Sequence, residues 1–249
     1  MTTAGLDDLR NSLYEAYATQ HVGCRGGGAA ALVYRRDIRP LLPAPAAGPV
    51  VDLGCGRGEL VRLLQADGFD AEGIDISPEQ VALAHAAGVA RVRQGDFRAI
   101  LAAQPAHYAA VTANDLLEHL TKPEVLRTFD DVAAALAPGG IFVGRVPNAV
   151  SPIGGHIQAG DFTHNTSFTA HSIRQLAAAA GFDSVLAHSS PPVAHGLASA
   201  ARVMVWQVVS ACYRIALAAE TGVLRGHIVT QNLIFTARKA AVAVKPEEG

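Results

Sequence analysis

The chain has 249 residues, enough for one α/β domain with a full core and an added subdomain. A formal net charge of −2 excludes a global basic field that would draw it to nucleic acid or acidic membranes. Three widely spaced cysteines, Cys24, Cys55 and Cys212, exclude a disulfide framework and imply a reducing, cytoplasmic setting.

Residues 1–48 read as an N-terminal helical cap. Leu9, Leu13, Tyr14, Tyr17 and Ala18 give one apolar helical face, and the glycines from Gly23 to Gly28 break it. A second helix is expected over Ala29–Ile38, then a Pro/Ala linker. The N-terminus lacks the basic-then-apolar order of a signal peptide. No stretch reaches about 18 uninterrupted apolar residues, so no membrane span is expected.

Residues 49–249 read as one domain of alternating strands and helices. Strand one, Val50–Leu53, is followed by a helix with Leu60, Val61, Leu63 and Leu64 turned to the sheet. Strand two is Ala71–Ile76. Ser77-Pro78-Glu79-Gln80 then offers an N-cap, a proline at the first helical position and a glutamine at the capping-box position, and Gly88 closes that helix. Strand three is Ala90–Arg93, and strand four is Tyr108–Ala113. Thr121-Lys122-Pro123-Glu124 repeats the capping logic for a helix ending at Ala137-Pro138-Gly139-Gly140. Strand five is Ile141–Val146. A polar loop at 150–168, a helix over Thr169–Ala180, a short strand at Ser184–Ala187 and a last strand at Asn232–Ala237 complete the order. Such alternation implies a parallel, doubly wound sheet with right-handed crossovers and ligands at the carboxyl ends of its strands.

The informative motif is Val50-Val51-Asp52-Leu53-Gly54-Cys55-Gly56-Arg57-Gly58, an apolar strand running into three alternate glycines. Such a loop lets backbone approach a nucleotide-like ligand. Its order differs from the dinucleotide pattern G-x-G-x-x-G. Asp75 closes strand two, 23 residues beyond Asp52 (75 − 52), where a carboxylate can accept both ribose hydroxyls of a nucleoside.

With Gly95-Asp96-Phe97 after strand three, these residues resemble class I S-adenosylmethionine (SAM) dependent methyltransferases. The resemblance covers about residues 48–148. It implies a Rossmann-like, seven-stranded sheet, mostly parallel with an antiparallel last strand, plus the N-terminal cap and a C-terminal helical insertion. It places Asp52, Gly54, Gly56 and Gly58 along the methionine half of SAM, and Asp75 with Ile76 at the ribose. Asp96 and Phe97 fall at the adenine, and Asn114 near the sulfonium. His21, in the cap, would close over the cofactor.

After strand four comes Asn114-Asp115-Leu116-Leu117-Glu118-His119-Leu120. On a helical turn Asp115, Glu118 and His119 would share one face, a pattern suited to Mg²⁺, Mn²⁺ or a similar cation. His164 in the 150–168 loop would supply a fourth ligand. The layout resembles metal-dependent small-RNA 2′-O-methyltransferases, with Asp115 in place of a glutamate. Glu-His at this position also occurs in ubiquinone-pathway enzymes. His119 or His164 would serve as general base for a hydroxyl, or the cation would activate it by ligation.

The segments Val146-Pro147-Asn148, Gly160-Asp161-Phe162-Thr163-His164, Pro192–Leu197 and Ala219-Glu220-Thr221-Gly222 look like methyltransferases of bacterial polysaccharide and glycolipid gene clusters. The acceptor this implies is a sugar hydroxyl. The alternatives are a phenolic or quinone acceptor, an RNA terminus, for which no basic patch is present, and a non-catalytic SAM-binding regulator. The insertion at 190–230 holds an apolar stretch over Leu197–Ala219, expected to be subdomain core with a homodimer contact. Peripheral contact with the inner membrane face is its alternative.

Overall fold

A computed structural model describes residues 28–241. The expected first helix and His21 lie outside the described residues. Helix α1 (Gly28–Val33) runs on as a π turn over Tyr34–Ile38 and a 3-10 turn over Arg39–Leu41. Tyr34, Ile38 and Leu42 are buried against Val50, Ala110, Ile141 and Ile234, so this stretch forms a layer on one sheet face.

The strands are β1 (Val50–Leu53), β2 (Ala71–Asp75), β3 (Val92–Gln94), β4 (Tyr108–Asn114), β5 (Leu136–Pro147), β6 (Ser184–Ser190) and β7 (Asn232–Arg238). They form one sheet in the order β3-β2-β1-β4-β5-β7-β6. Pairing is parallel from β3 through β5, and β7 runs antiparallel to both neighbours, as expected. Every residue of β1 is buried, as helices on both faces require. The second face packs around Phe129, Phe142 and Phe235, whose ring centroids are 5.1–5.8 Å apart.

The helices between strands are α2 (Glu59–Ala66), α3 (Pro78–Ala86), α4 (Phe97–Ala102), α5 (Lys122–Ala135), α6 (Gly154–Gly160), α7 (Ala170–Ala179) and α8 (Leu197–Thr221). Their caps follow the sequence closely. Ser77 Oγ accepts from Gln80 N, and Thr121 N and Oγ1 both bond Glu124 Oε2 at 2.8 and 2.7 Å. The reciprocal half of the Ser77 box is replaced, because Ser77 N donates to Asp75 instead. Helix α5 stops at Ala135, earlier than expected, and Ala137–Gly140 already belong to β5. Pro138 disfavours helical backbone at Ala137 and cannot donate, so the chain leaves the helix before it.

Helix α8 corrects the expectation of a subdomain core. Ser199, Val203, Trp206, Ser210, Tyr213 and Leu217, spaced by three and four, are covered in whole or part, with Ala200 and Ala218 beside them. The opposite face is equally apolar and lies open: Met204, Val208 and Ile215 are 64%, 65% and 70% exposed. A helix apolar all round can bury one stripe on its own chain, and the other stripe is left outward. Among the described residues α8 is the one helix long and apolar enough to cross a membrane by length and composition.

Candidate active site

The site is assembled at the carboxyl ends of β1, β2 and β4. Beyond β1, Gly54, Gly56 and Gly58 all adopt positive φ, at +62°, +52° and +71°. That conformation favours glycine. A Cβ at Gly54 would also lie 2.9 Å from Leu116, and one at Gly58 2.9 Å from Val92. Gly56 faces open space, with Gln80 Oε1 its nearest neighbour at 3.8 Å. The loop backbone is therefore open to a ligand at Gly56. Gln80 Oε1 is buried without a hydrogen-bond partner in the structure. The sequence reading gave Gln80 a capping role and missed its place beside this loop.

Asp75 holds the loop. Its Oδ2 accepts from Gly56 N at 2.7 Å and its Oδ1 from Ser77 N at 2.8 Å. Burial raises its pKa, and the two N–H donors oppose the rise. Each oxygen keeps a second lone pair for another donor. Ile76, next in the chain, is 54% exposed and forms an apolar shelf beside it. Asn114 ends β4 with a buried, unpartnered Oδ1. Asp96 is engaged as the N-cap of α4, accepting from Arg98 N at 3.0 Å. Phe97 packs into the core with Ile74 and Leu101, with the Arg98 guanidinium over its ring at 5.5 Å. Cys55 is packed against Gly73, and burial pushes its thiol up, which suits packing and not nucleophilic chemistry.

Asp52 is 3% exposed and accepts from Thr112 Oγ1 at 2.6 Å. Burial lifts its pKa to about 7, with Asp75 adding to the rise and the Thr112 bond opposing it. The folded chain then holds this proton where the unfolded chain has lost it. Asp52 thus contributes stability below its ordinary range that disappears as pH climbs through 7. The shift corresponds to stabilisation on the order of 4 kcal/mol. Without ligand, denaturant melts should show wild-type stability falling between about pH 4 and 7, and Asp52→Asn should flatten part of that fall. A variant with the wild-type slope would remove Asp52 as its source.

Past β4, a 3-10 turn over Leu117–His119 carries Glu118 and His119 inward. Ligand atoms of Glu118, His119 and His164 lie within 4.8 Å of one another. Hydrogen bonds to Nδ1 fix both imidazoles. Thr163 Oγ1 spends its proton on Asp161 Oδ1 at 2.6 Å, so it accepts from His119 Nδ1 at 2.8 Å. The Ile157 carbonyl can only accept, so His164 Nδ1 donates to it at 3.1 Å. Both lone pairs therefore fall on Nε2. The rings meet edge to face, centroids 4.8 Å apart. Glu118 is 1% exposed; its Oε2 has no hydrogen-bond partner among the described residues. Burial first, then Asp115, raises its pKa well above the ordinary carboxylate range. The loop is stitched in place: Asn165 N and Thr166 N donate to the Glu118 carbonyl at 2.7 and 3.1 Å, and Asn165 Nδ2 donates to His119 O at 3.0 Å.

Asp115 does not join this cluster, which corrects the expected four-ligand set. Its φ is +52°, outside any helix, so the i, i+3 spacing to Glu118 never places the two on one face. The carboxylate instead forms a two-pronged ion pair with Arg145 on β5. Asp161, Thr163 and Asn165 were missed as positioning residues, although all three lie in the segment that supplied His164.

Residues 29–187 match the Methyltransferase domain family. The chain belongs to that family. Its curated relatives include the "Ubiquinone biosynthesis O-methyltransferase" of Xylella fastidiosa strain 9a5c, 35% identical over 103 residues, or 39% of this chain and 41% of the relative. The "Putative methyltransferase YqeM" of Bacillus subtilis is 35% identical over 104 residues, 40% of this chain and 42% of the relative. The chain thus spans about two-fifths of the length of these relatives. In fold, the chain is similar to a SAM-dependent methyltransferase from Archaeoglobus fulgidus, with TM-score 0.65 and 19% identity over 92% of this chain and 99% of that one. A Mesorhizobium loti SAM-dependent methyltransferase gives 0.59 and 20% over 85% and 100%.

Proposed function

We propose that this methyltransferase moves the methyl group of SAM to a hydroxyl oxygen, with Glu118, His119 and His164 handling the hydroxyl. The supporting observation is a buried carboxylate with an unpartnered oxygen beside two imidazoles whose lone pairs lie on Nε2. Asp75 accepts the ribose hydroxyls and Ile76 lies under the adenine. The Gly54–Gly58 backbone and Asn114 Oδ1 serve the methionine end.

An alcohol is a poor nucleophile until its proton is drawn away. In the cation-free cluster His119 Nε2 takes that proton as the oxygen forms its new bond to the methyl carbon. The carbon–sulfur bond breaks, and the sulfonium leaves as a neutral thioether. The other protein groups contribute by positioning the acceptor in line. Glu118, His119 and His164 also fit a divalent cation. With Asp115 gone from the set, one carboxylate and two imidazoles favour Mn²⁺ or Zn²⁺ over Mg²⁺. When bound, such a cation lowers the pKa of a ligated hydroxyl.

The printed names of the relatives favour a phenolic or quinone-type acceptor, and Phe162, 92% exposed on the acceptor loop, suits an aromatic partner. The sugar hydroxyl is the second reading, favoured by the loop sequences at 160–164 and 192–197. Radiolabelled SAM should be offered with catechols, prenylated phenols and nucleotide-sugars, each with chelator and with Mn²⁺ restored. The expected product is an O-methyl ether, lost on chelation and regained with the ion. Methylation confined to amine or thiol acceptors would overturn the hydroxyl reading. A full rate under chelation would remove the cation and leave His119 as the base.

A further inference from the structure

A cavity of about 590 Å³ lies along the free edge of β6, away from the residues assigned above to cofactor and acceptor. Its charge is unbalanced. Arg36, Arg174 and Arg214 line it against a single carboxylate, Asp37, in a chain whose net charge is −2. Asp37 is already satisfied: its side chain is 6% exposed, takes both prongs of Arg36 at 2.6 Å and accepts from Ser190 Oγ at 2.7 Å. Arg36 also donates to the Pro191 and Pro192 carbonyls at 2.6 and 3.4 Å. That pair ties the α1 extension to the end of β6, and its charges cancel.

Two guanidiniums remain. Arg174 on α7 has no ion-pair or hydrogen-bond partner among the described residues. Arg214 on α8 reaches the His227 carbonyl at 3.4 Å, a marginal bond. A third group points the same way. His188, on β6, lines the cavity, and its Nε2 is buried with no hydrogen-bond partner among the described residues. A desolvated ring nitrogen without a partner is a cost that a ligand would offset.

We infer that this cavity binds a phosphate-bearing ligand, with Arg174 and Arg214 on the phosphate oxygens and His188 Nε2 supplying a further hydrogen bond. One guanidinium satisfies a carboxylate, whereas two forks and an imidazole match the several oxygens and double charge of phosphate. The volume exceeds one phosphate and leaves room for a second, or for a sugar-sized remainder. Among the described residues, no Phe, Tyr or Trp lines the cavity. Phosphate binding here stands apart from the methyl acceptor's identity, so it can fail while the hydroxyl reading holds, and the reverse.

The test uses the full chain and the double variant Arg174→Gln/Arg214→Gln; both positions are exposed, so folding should survive, and circular dichroism checks this. Calorimetric titration with inorganic pyrophosphate at low salt should show binding to wild type and a loss of about ten-fold or more in the variant. SAM affinity should be equal in the two proteins. A parallel arm measures cosedimentation with phosphatidylglycerol and phosphatidylcholine vesicles. Capture by the former alone, lost in the variant, with no pyrophosphate binding, would make a lipid headgroup the source of the phosphate. Absence of binding in both arms, or binding that the double variant leaves intact, would overturn the site.

Discussion

His164→Ala should cut methyl transfer by about 10²–10⁴-fold while SAM affinity stays near its native value. His164 Nδ1 is spent on the Ile157 carbonyl, so the substitution removes one Nε2 from the cluster and little else. The ring is half-buried at the edge of the loop, and the loop keeps its own bonds to Glu118 and His119 through Asn165 and Thr166. The residues proposed to hold the cofactor lie at or beyond the ends of β1, β2 and β4, so calorimetry with SAM should register little. Glu118→Gln separates two versions of the mechanism. If the cluster holds a cation, an uncharged amide loses the ion and the rate falls with it. If His119 acts alone as base, glutamine preserves shape and the rate survives. A His164→Ala enzyme with native turnover would remove His164, and the cation with it, and leave His119 as the sole base.

Much of this site was legible because its local rules are strict. Gly54, Gly56 and Gly58 need positive φ, and Ser77-Pro78 needs to start a helix; both facts are written in adjacent residues. The pairing of Glu118 and His119 with a histidine 45 positions away (164 − 119) rested on motif order, and the fold brought them together. Asp115 went wrong because the spacing rule assumed a helix that begins only at Leu117. Its real partner, Arg145, lies 30 residues on and across a strand pair, where no local pattern points. Thr163 and Asp161 were invisible as orienting groups because their role depends on which nitrogen of His119 faces the loop. Helix α8 shows the same limit: periodicity gives two equivalent apolar stripes, and the burial of one cannot be read from the sequence.

Asp75→Ala should weaken SAM binding roughly ten- to hundred-fold, the equivalent of about 1.5–3 kcal/mol for hydrogen bonds to a charged group. Two losses combine here. The ribose hydroxyls lose their acceptor, and Gly56 N and Ser77 N lose the carboxylate that both now share. Asp75→Asn should do little better, since an amide offers one acceptor oxygen and turns its NH₂ toward the other N–H. The two losses are separable with 5′-methylthioadenosine, which keeps the ribose and lacks the amino-acid half. If Asp75 acts by direct contact with the ribose, calorimetry should show the same fold-loss for SAM and for methylthioadenosine. If it acts chiefly by holding the glycine loop, SAM should lose more, because its methionine half is the part that lies along Gly54–Gly58. Unchanged affinity for both ligands would take Asp75 out of the cofactor site altogether. The carboxylate would then be a fastener between β2 and the loop, and the exposed Ile76 beside it would need another ligand to explain it.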